Sequence, residues 1–261
     1  LMANRISEYA SAADGRSEGV QIYASQGEGT FLPMVHGLGP RPGQRIVYVD
    51  GGFDLFSSGH IAFLSLVTSL EAASGRHRDW YTDSARQKRL TEFGEDYGPA
   101  YIVAGVHDDE VINHHKGLNY PIMNIFERGL CVVQCRYVHQ VVFGAPYAPN
   151  EAFLASLPAL SASKEANIDL PNAVYHGPTS YMPSSATPDP HADAKAAGVF
   201  VETPEHDFQD VNAAQIVQRI LDRRMEYEER QRKKGIKSTG EGALRRAEME
   251  READAKGRDG A

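Results

Sequence analysis

The residues in this chain best suited to chemistry lie between two apolar runs. Ile46-Val47-Tyr48-Val49 meets Asp50, and then come Gly51-Gly52, Phe53-Asp54 and Ser57-Ser58-Gly59-His60, ahead of a second run from Ile61. Glycines let a backbone approach a ligand closely. A helix that starts near His60 would point unpaired N–H groups and a partial positive charge at the turn, which suits phosphate. A histidine in that first turn can hydrogen-bond a phosphate oxygen or stabilise charge on a leaving pyrophosphate. Taken singly, the glycines also fit a plain tight turn, and His60 a helix cap or a solvated side chain.

Positioning such a turn requires a strand before it and a helix after it. "RIVYVD" is a short, nearly continuous apolar strand of the kind buried on both faces of a parallel sheet. "GHIAFLSLVTSLEAAS" places Ile61, Leu64 and Val67 at helical spacing. Further strands are expected in "AYIVAGVHDD", "HQVVFGAPYAP", "AVYH" and "VFVETPE". Helices are expected in "IFERGLCVVQCRYV", in "NEAFLASL" with an Asn cap, and in a long "NAAQIVQRILDRRMEYEERQRKKG". The alternation predicts an α/β fold: a Rossmann-like parallel sheet of about five strands flanked by helices, with a long C-terminal helix. Ligands of such sheets bind beyond the carboxyl ends of the strands, where residues 50–60 fall. Residues 1–44, rich in Gly, Ser and Pro, read as a flexible linker. Residues 45–234 read as the domain, and 235–261 as a charged tail, helical or disordered. The polar stretch "HRDWYTDSARQKRLTEFGED" reads as an insertion.

Composition bounds the function. At 41% hydrophobic and 24% charged, the chain is of ordinary globular type. A net charge of -8 gives no electrostatic case for nucleic acid, although a few local cations can still bind a small anion. Cys131 and Cys135 fall on one helix face and read as buried thiols in a reducing compartment. No apolar run reaches the roughly 18–20 residues of a membrane span, and "LMANRISEYA" lacks the form of a signal peptide. These features predict a cytoplasmic protein. The first residue, Leu1, reads as the start of a fragment.

"GGFDLFSSGH" resembles the G-x-F-D-x-x-H-x-G-H signature of the cytidylyltransferase family of nucleotidyltransferases, through Gly51, Phe53, Asp54, Gly59 and His60. The likeness continues through "YIVAGVHDDEVINHHKGLNYPIMNIFERGLCVVQCRYVHQVVFGAPY", "VYHGP" and the closing helix, covering about residues 45–234. It is strongest to the second, C-terminal repeat of the members that act on phosphoethanolamine. The resemblance implies a nucleotidyltransferase fold and the conversion of CTP and phosphoethanolamine to CDP-ethanolamine and pyrophosphate. It implies Mg2+ entering with CTP and an N-terminal repeat as pseudo-dimer partner, with no tightly bound cofactor or protein metal site. It casts His60 and Lys116 as catalytic. Gly51, Gly52, Phe53, Asp54, Ser57, Gly59, His60, Arg128, His176 and Gly177 become nucleotide-binding, with Arg128 either on phosphate or paired with a carboxylate. Asp54 either orients the turn or the substrate amine, or caps the following helix. His107, His114 and His115, near Asp108 and Asp109, read as loop histidines rather than zinc ligands.

The chain departs from the family pattern twice. Ser57 replaces the signature's first histidine; a hydroxyl can donate one hydrogen bond but carries no positive charge. The late R-T-x-G-x-S-T motif is replaced by "VETPEHDFQDVNAAQ", whose Glu202, Glu205, Asp207 and Asp210 put negative charge where the family holds phosphate. This half is therefore expected to turn CTP over slowly or not at all when alone. The competing readings are an independently active cytidylyltransferase, a non-catalytic structural or regulatory domain and, against the long match through "KGLNYPIMN", adenylyl transfer by a related nucleotidyltransferase.

Overall fold

The computed structural model describes residues 19–27, 29–74, 79–116, 120–163, 169–178 and 189–235. In chain order its strands are β1 (Gln21–Ser25), β2 (Phe31–Val35), β3 (Arg45–Gly51), β4 (Ala100–His107), β5 (Gln140–Ala145), β6 (Ala173–His176) and β7 (Phe200–Glu202). The helices are α1 (Ser58–Ala73), α2 (Asp83–Phe93), α3 (Asp109–Lys116), α4 (Ile125–Val133), α5 (Glu151–Ala155), α6 (Pro158–Ala162), α7 (Ala192–Ala196) and α8 (Ala213–Asp222). One sheet runs β2-β1-β5-β4-β3-β6-β7. Every neighbouring pair is parallel except β1 with β2.

The five strands expected from sequence are β3 to β7. The sheet has seven because residues 21–35, expected within a linker, form β1 and β2. Ile22 is fully buried against β5, and the hairpin that returns β2 uses Gly27 and Gly29 at positive φ. The glycines that looked like linker composition serve that tight turn. Residues 1–18 and 236–261 lie outside the described residues. The chain divides into two compact units, Leu1–Ala213 and Ala214–Ala261, so the closing helix falls mostly in the second.

Alternation along the strands builds two cores. Val47, Val49, Ile102, Ala104 and Val141 bury one face with Leu64 and Val67 of α1 and Val132 of α4. Ile46, Tyr48, Tyr101 and Val103 bury the other with Phe153, Leu154, Leu157 and Ala194. The polar insertion contains α2, and it is anchored by Arg89. That guanidinium lies 4.7 Å from the Trp80 ring centroid and bonds Asp96 at 2.7 Å.

The strand that matters most is β3. Chain order runs outward from it to β4 and β5 on one side and to β6 and β7 on the other, which makes its carboxyl end a topological switch point.

Candidate active site

β3 leads into a tight turn before α1. Phe53 and Leu55 hold φ of 51° and 46°, left-handed values that cost a non-glycine residue about 1–2 kcal/mol. The Phe53 ring is in the core, 4% exposed, so its expected nucleotide contact is not available to the side chain. Gly52 is tightly packed rather than open. A Cβ there would lie 3.1 Å from Ile112 Cδ1, so α3 rests on this turn.

Asp54 does not cap α1. Its carboxylate is buried and accepts from the backbone N–H of Leu55 (3.1 Å), Ile122 (2.8 Å) and Met123 (2.9 Å). It clamps the loop before α4 onto the turn, the turn-orienting role among those expected from sequence.

His60 lies in the first turn of α1, partly buried. Its ring stacks on Phe56, with centroids 5.3 Å apart and planes 11° apart. The Ser57 N–H donates to His60 Nδ1 at 3.1 Å, so Nδ1 is the acceptor nitrogen and Nε2 carries the hydrogen. Burial, reinforced by the Lys116 charge and opposed by Asp54, lowers the imidazole pKa to about 4. At neutral pH His60 is a fixed, uncharged Nε2–H donor.

Ser57 has a different role from the histidine it replaces. Its hydroxyl donates to the Val211 carbonyl at 2.8 Å. A Cβ on Gly59 would come within 2.6 Å of Val211 O and 2.8 Å of Phe208 O. Ser57 and Gly59 therefore hold the 208–211 segment against the start of α1, and Phe208 adopts a φ of 65° within it.

Lys116 ends α3 and reaches solvent. Surrounding protein lowers its pKa, Asp54 opposes that shift, and Arg128 adds to it. Arg128 itself has no exposed surface. It donates to Met123 O (3.0 Å), Gly52 O, His107 O (2.7 Å) and the Asp109 carboxylate (2.6 Å). Of the two roles expected for it, the carboxylate pair is the one formed. His107 is buried at the end of β4 with Nδ1 on Ala145 O, whereas His114 and His115 stand at the exposed end of α3. Among the described residues no group of three or more His, Cys, Asp or Glu side chains could hold a metal ion.

β3 and β6 pair Val49 with Tyr175, which sets His176 level with Asp50 across the switch point. Burial lowers the His176 pKa, and its ring lies 4.4 Å from that of His191. A Cβ on Gly177 would lie 3.9 Å from the Phe63 ring of α1. The fold thus brings the β3 turn, the start of α1 and the end of β6 together, and sets Lys116 electrostatically beside His60.

Asp50 was not among the candidate residues read from the sequence. Its Oδ2 is buried with no hydrogen-bond partner, and burial raises the carboxyl pKa to about 7, partly offset by the Tyr48 hydroxyl. The available signal was an acid placed directly at the end of a fully apolar strand. A cavity of about 810 Å³ opens beside the site, lined by Phe56, Ile61, Leu130, Cys131, Arg136 and Tyr137 among others, and does not take in His60.

No family model matches the chain. Curated relatives do. The ethanolamine-phosphate cytidylyltransferase of Mus musculus is 36% identical over 207 residues, 79% of this chain and 41% of the relative. That of Dictyostelium discoideum is 34% identical, over 79% of this chain and 48% of the relative. Choline-phosphate cytidylyltransferase A of Rattus norvegicus is 30% identical over 67% of this chain and 36% of the relative. Among solved structures, a lipopolysaccharide core biosynthesis protein from Thermoplasma volcanium GSS1 aligns at a TM-score of 0.36 and 15% identity, covering 63% of this chain and 100% of that one. That alignment is too loose to add to the fold assignment. The chain spans about half the length of the curated relatives it matches. By sequence the chain belongs with the ethanolamine-phosphate cytidylyltransferases of the cytidylyltransferase family.

Proposed function

We propose that the chain is the C-terminal, cytidylyltransferase-like half of an ethanolamine-phosphate cytidylyltransferase in phosphatidylethanolamine synthesis, acting in the cytoplasm. The reaction joins CTP and phosphoethanolamine: a phosphate oxygen of phosphoethanolamine attacks the α-phosphorus of CTP in line and pyrophosphate leaves. Such transfer depends on positioning and charge stabilisation more than on a covalent nucleophile. The observation that carries the reading is the orientation of His60. With Nδ1 fixed on the Ser57 N–H, the Nε2–H is the group left for a phosphate oxygen at the start of α1. Lys116 supplies a point charge beside it. CTP enters as its Mg2+ complex. Asp50, a buried carboxyl with an unpartnered oxygen at the switch point, faces the substrate's ammonium group and becomes its counter-charge when it gives up its proton on binding.

A specific observation favours weak or absent turnover by this half alone. The Ser57 hydroxyl is engaged by Val211 O; Glu205 and Asp207 precede the segment held there and Asp210 lies within it. In this reading the N-terminal repeat of the longer protein carries the main activity, and this half supports it as a pseudo-dimer partner. A radiolabelled CTP assay tests the division of labour. Little or no CDP-ethanolamine from the isolated chain is expected; robust formation would overturn it in favour of an independently active enzyme.

A further inference from the structure

We infer that Arg128 is the positioning residue of the site: it sets where Lys116 stands relative to the β3 turn and His60. Arg128 is fully buried, and its guanidinium joins four separate segments. It takes the Gly52 carbonyl at the end of β3, the His107 carbonyl at the end of β4, the Asp109 carboxylate at the start of α3 and the Met123 carbonyl before α4. A planar fork with five fixed N–H donors can hold several acceptors at set angles, as a lysine ammonium on a flexible stem cannot. The bonds to His107 and Asp109 fix the strand-to-helix turn from which α3 springs. Helix α3 has eight residues with Lys116 at its far end, a lever of about 10 Å at 1.5 Å per residue. A small tilt at Asp109 is therefore enlarged at Lys116. Two further contacts work in the same direction: Ile112 packs on Gly52, and Asn113 Nδ2 donates to Tyr120 O at 3.1 Å. Asp109 is the exposed member of the Arg128 ion pair, its side chain 41% accessible, so it can be altered without opening the core.

The test reads the electrostatic coupling between Lys116 and His60 without any nucleotide, so its failure is separate from failure of the proposed function. The ring resonances and pKa of His60 are followed by NMR in the native chain and in Arg128→Lys and Asp109→Asn, each with and without Lys116→Met, and thermal melts confirm that each variant is folded. In the native chain, Lys116→Met should raise the His60 pKa by about half a unit or more. In folded Arg128→Lys or Asp109→Asn the same change should have less than about half that effect, the signature of coupled rather than independent sites. If Arg128→Lys fails to fold, Asp109→Asn decides. An equal Lys116→Met effect in every background, or none in the native chain, would overturn the inference. A merely fold-holding arginine would lower the melting temperature and leave the coupling intact.

Discussion

The Ser57 backbone N–H lies 3.1 Å from His60 Nδ1 and fixes which face of the imidazole the site receives. A donor held this way needs no proton from solvent to act.

The first prediction concerns that donor. His60→Ala should weaken binding of Mg·CTP about three- to tenfold, the worth of one hydrogen bond. The His60 contribution should be flat from about pH 5.5 to 8, because its pKa is near 4. Calorimetric titrations of both proteins across that range check it; a contribution that titrates near pH 6.5 would show that His60 acts as an imidazolium.

Histidine burial also shapes stability. His60, His107, His139 and His191 all have pKa values lowered to about 4, chiefly by burial. The unfolded chain binds protons at these groups more readily, so their contribution is complete above about pH 6.5 and is lost as pH falls towards 4. Denaturant melts should show stability declining through that window before most carboxylates protonate.

Asp50 acts with the opposite sign. Its folded pKa, raised to about 7, makes the folded state hold a proton that the unfolded state gives up. That contribution is complete below the ordinary carboxylate range and is lost as pH rises through 7. Asp50→Asn should therefore raise the melting temperature more at pH 8 than at pH 5, and should abolish binding of phosphoethanolamine. Equal changes at both pH values would mean that the carboxyl is ordinary.

Close packing at the start of α1 gives a fourth test. Gly59→Ala drives a methyl against two backbone carbonyls, and it should cost about 1–3 kcal/mol. Ser57→Ala removes one hydrogen bond to the same segment, at about 1 kcal/mol. Faster amide exchange at residues 208–211 in Ser57→Ala would show that the hydroxyl holds that segment; unchanged exchange would show that it does not.

Asp54→Ala leaves three backbone N–H groups without their charged acceptor and should destabilise the protein by about 2–3 kcal/mol, measured by denaturant unfolding. Asp54→Asn keeps an acceptor oxygen and should cost less.

β3 to β7 were legible because each is an apolar run bounded by turn residues or a charge. β1 and β2 were not, since a hairpin built on Gly27 and Gly29 has the composition of a linker. The signature residues fall on the turn between β3 and α1, but they did not show what each side chain does there. Arg128 sits in "FERG" like any helix-surface arginine, and its partners come from segments 5 to 76 residues away. Asp54 grips N–H groups 68 and 69 residues on. Such partners are set by the crossover topology, which local pattern does not encode. Ser57 showed only as a missing histidine; its bond to Val211, 154 residues on, was equally hidden.

The most direct measurement is the ¹⁵N spectrum of the His60 ring during titration with Mg·CTP to about 10 mM, about tenfold above a 1 mM dissociation constant. The account predicts a saturable shift of Nε2, with Nδ1 retaining its acceptor signature, and loss of that shift in Lys116→Met. A His60 ring that does not respond while CTP perturbs other residues, or an Nδ1 that takes up the proton, would contradict it.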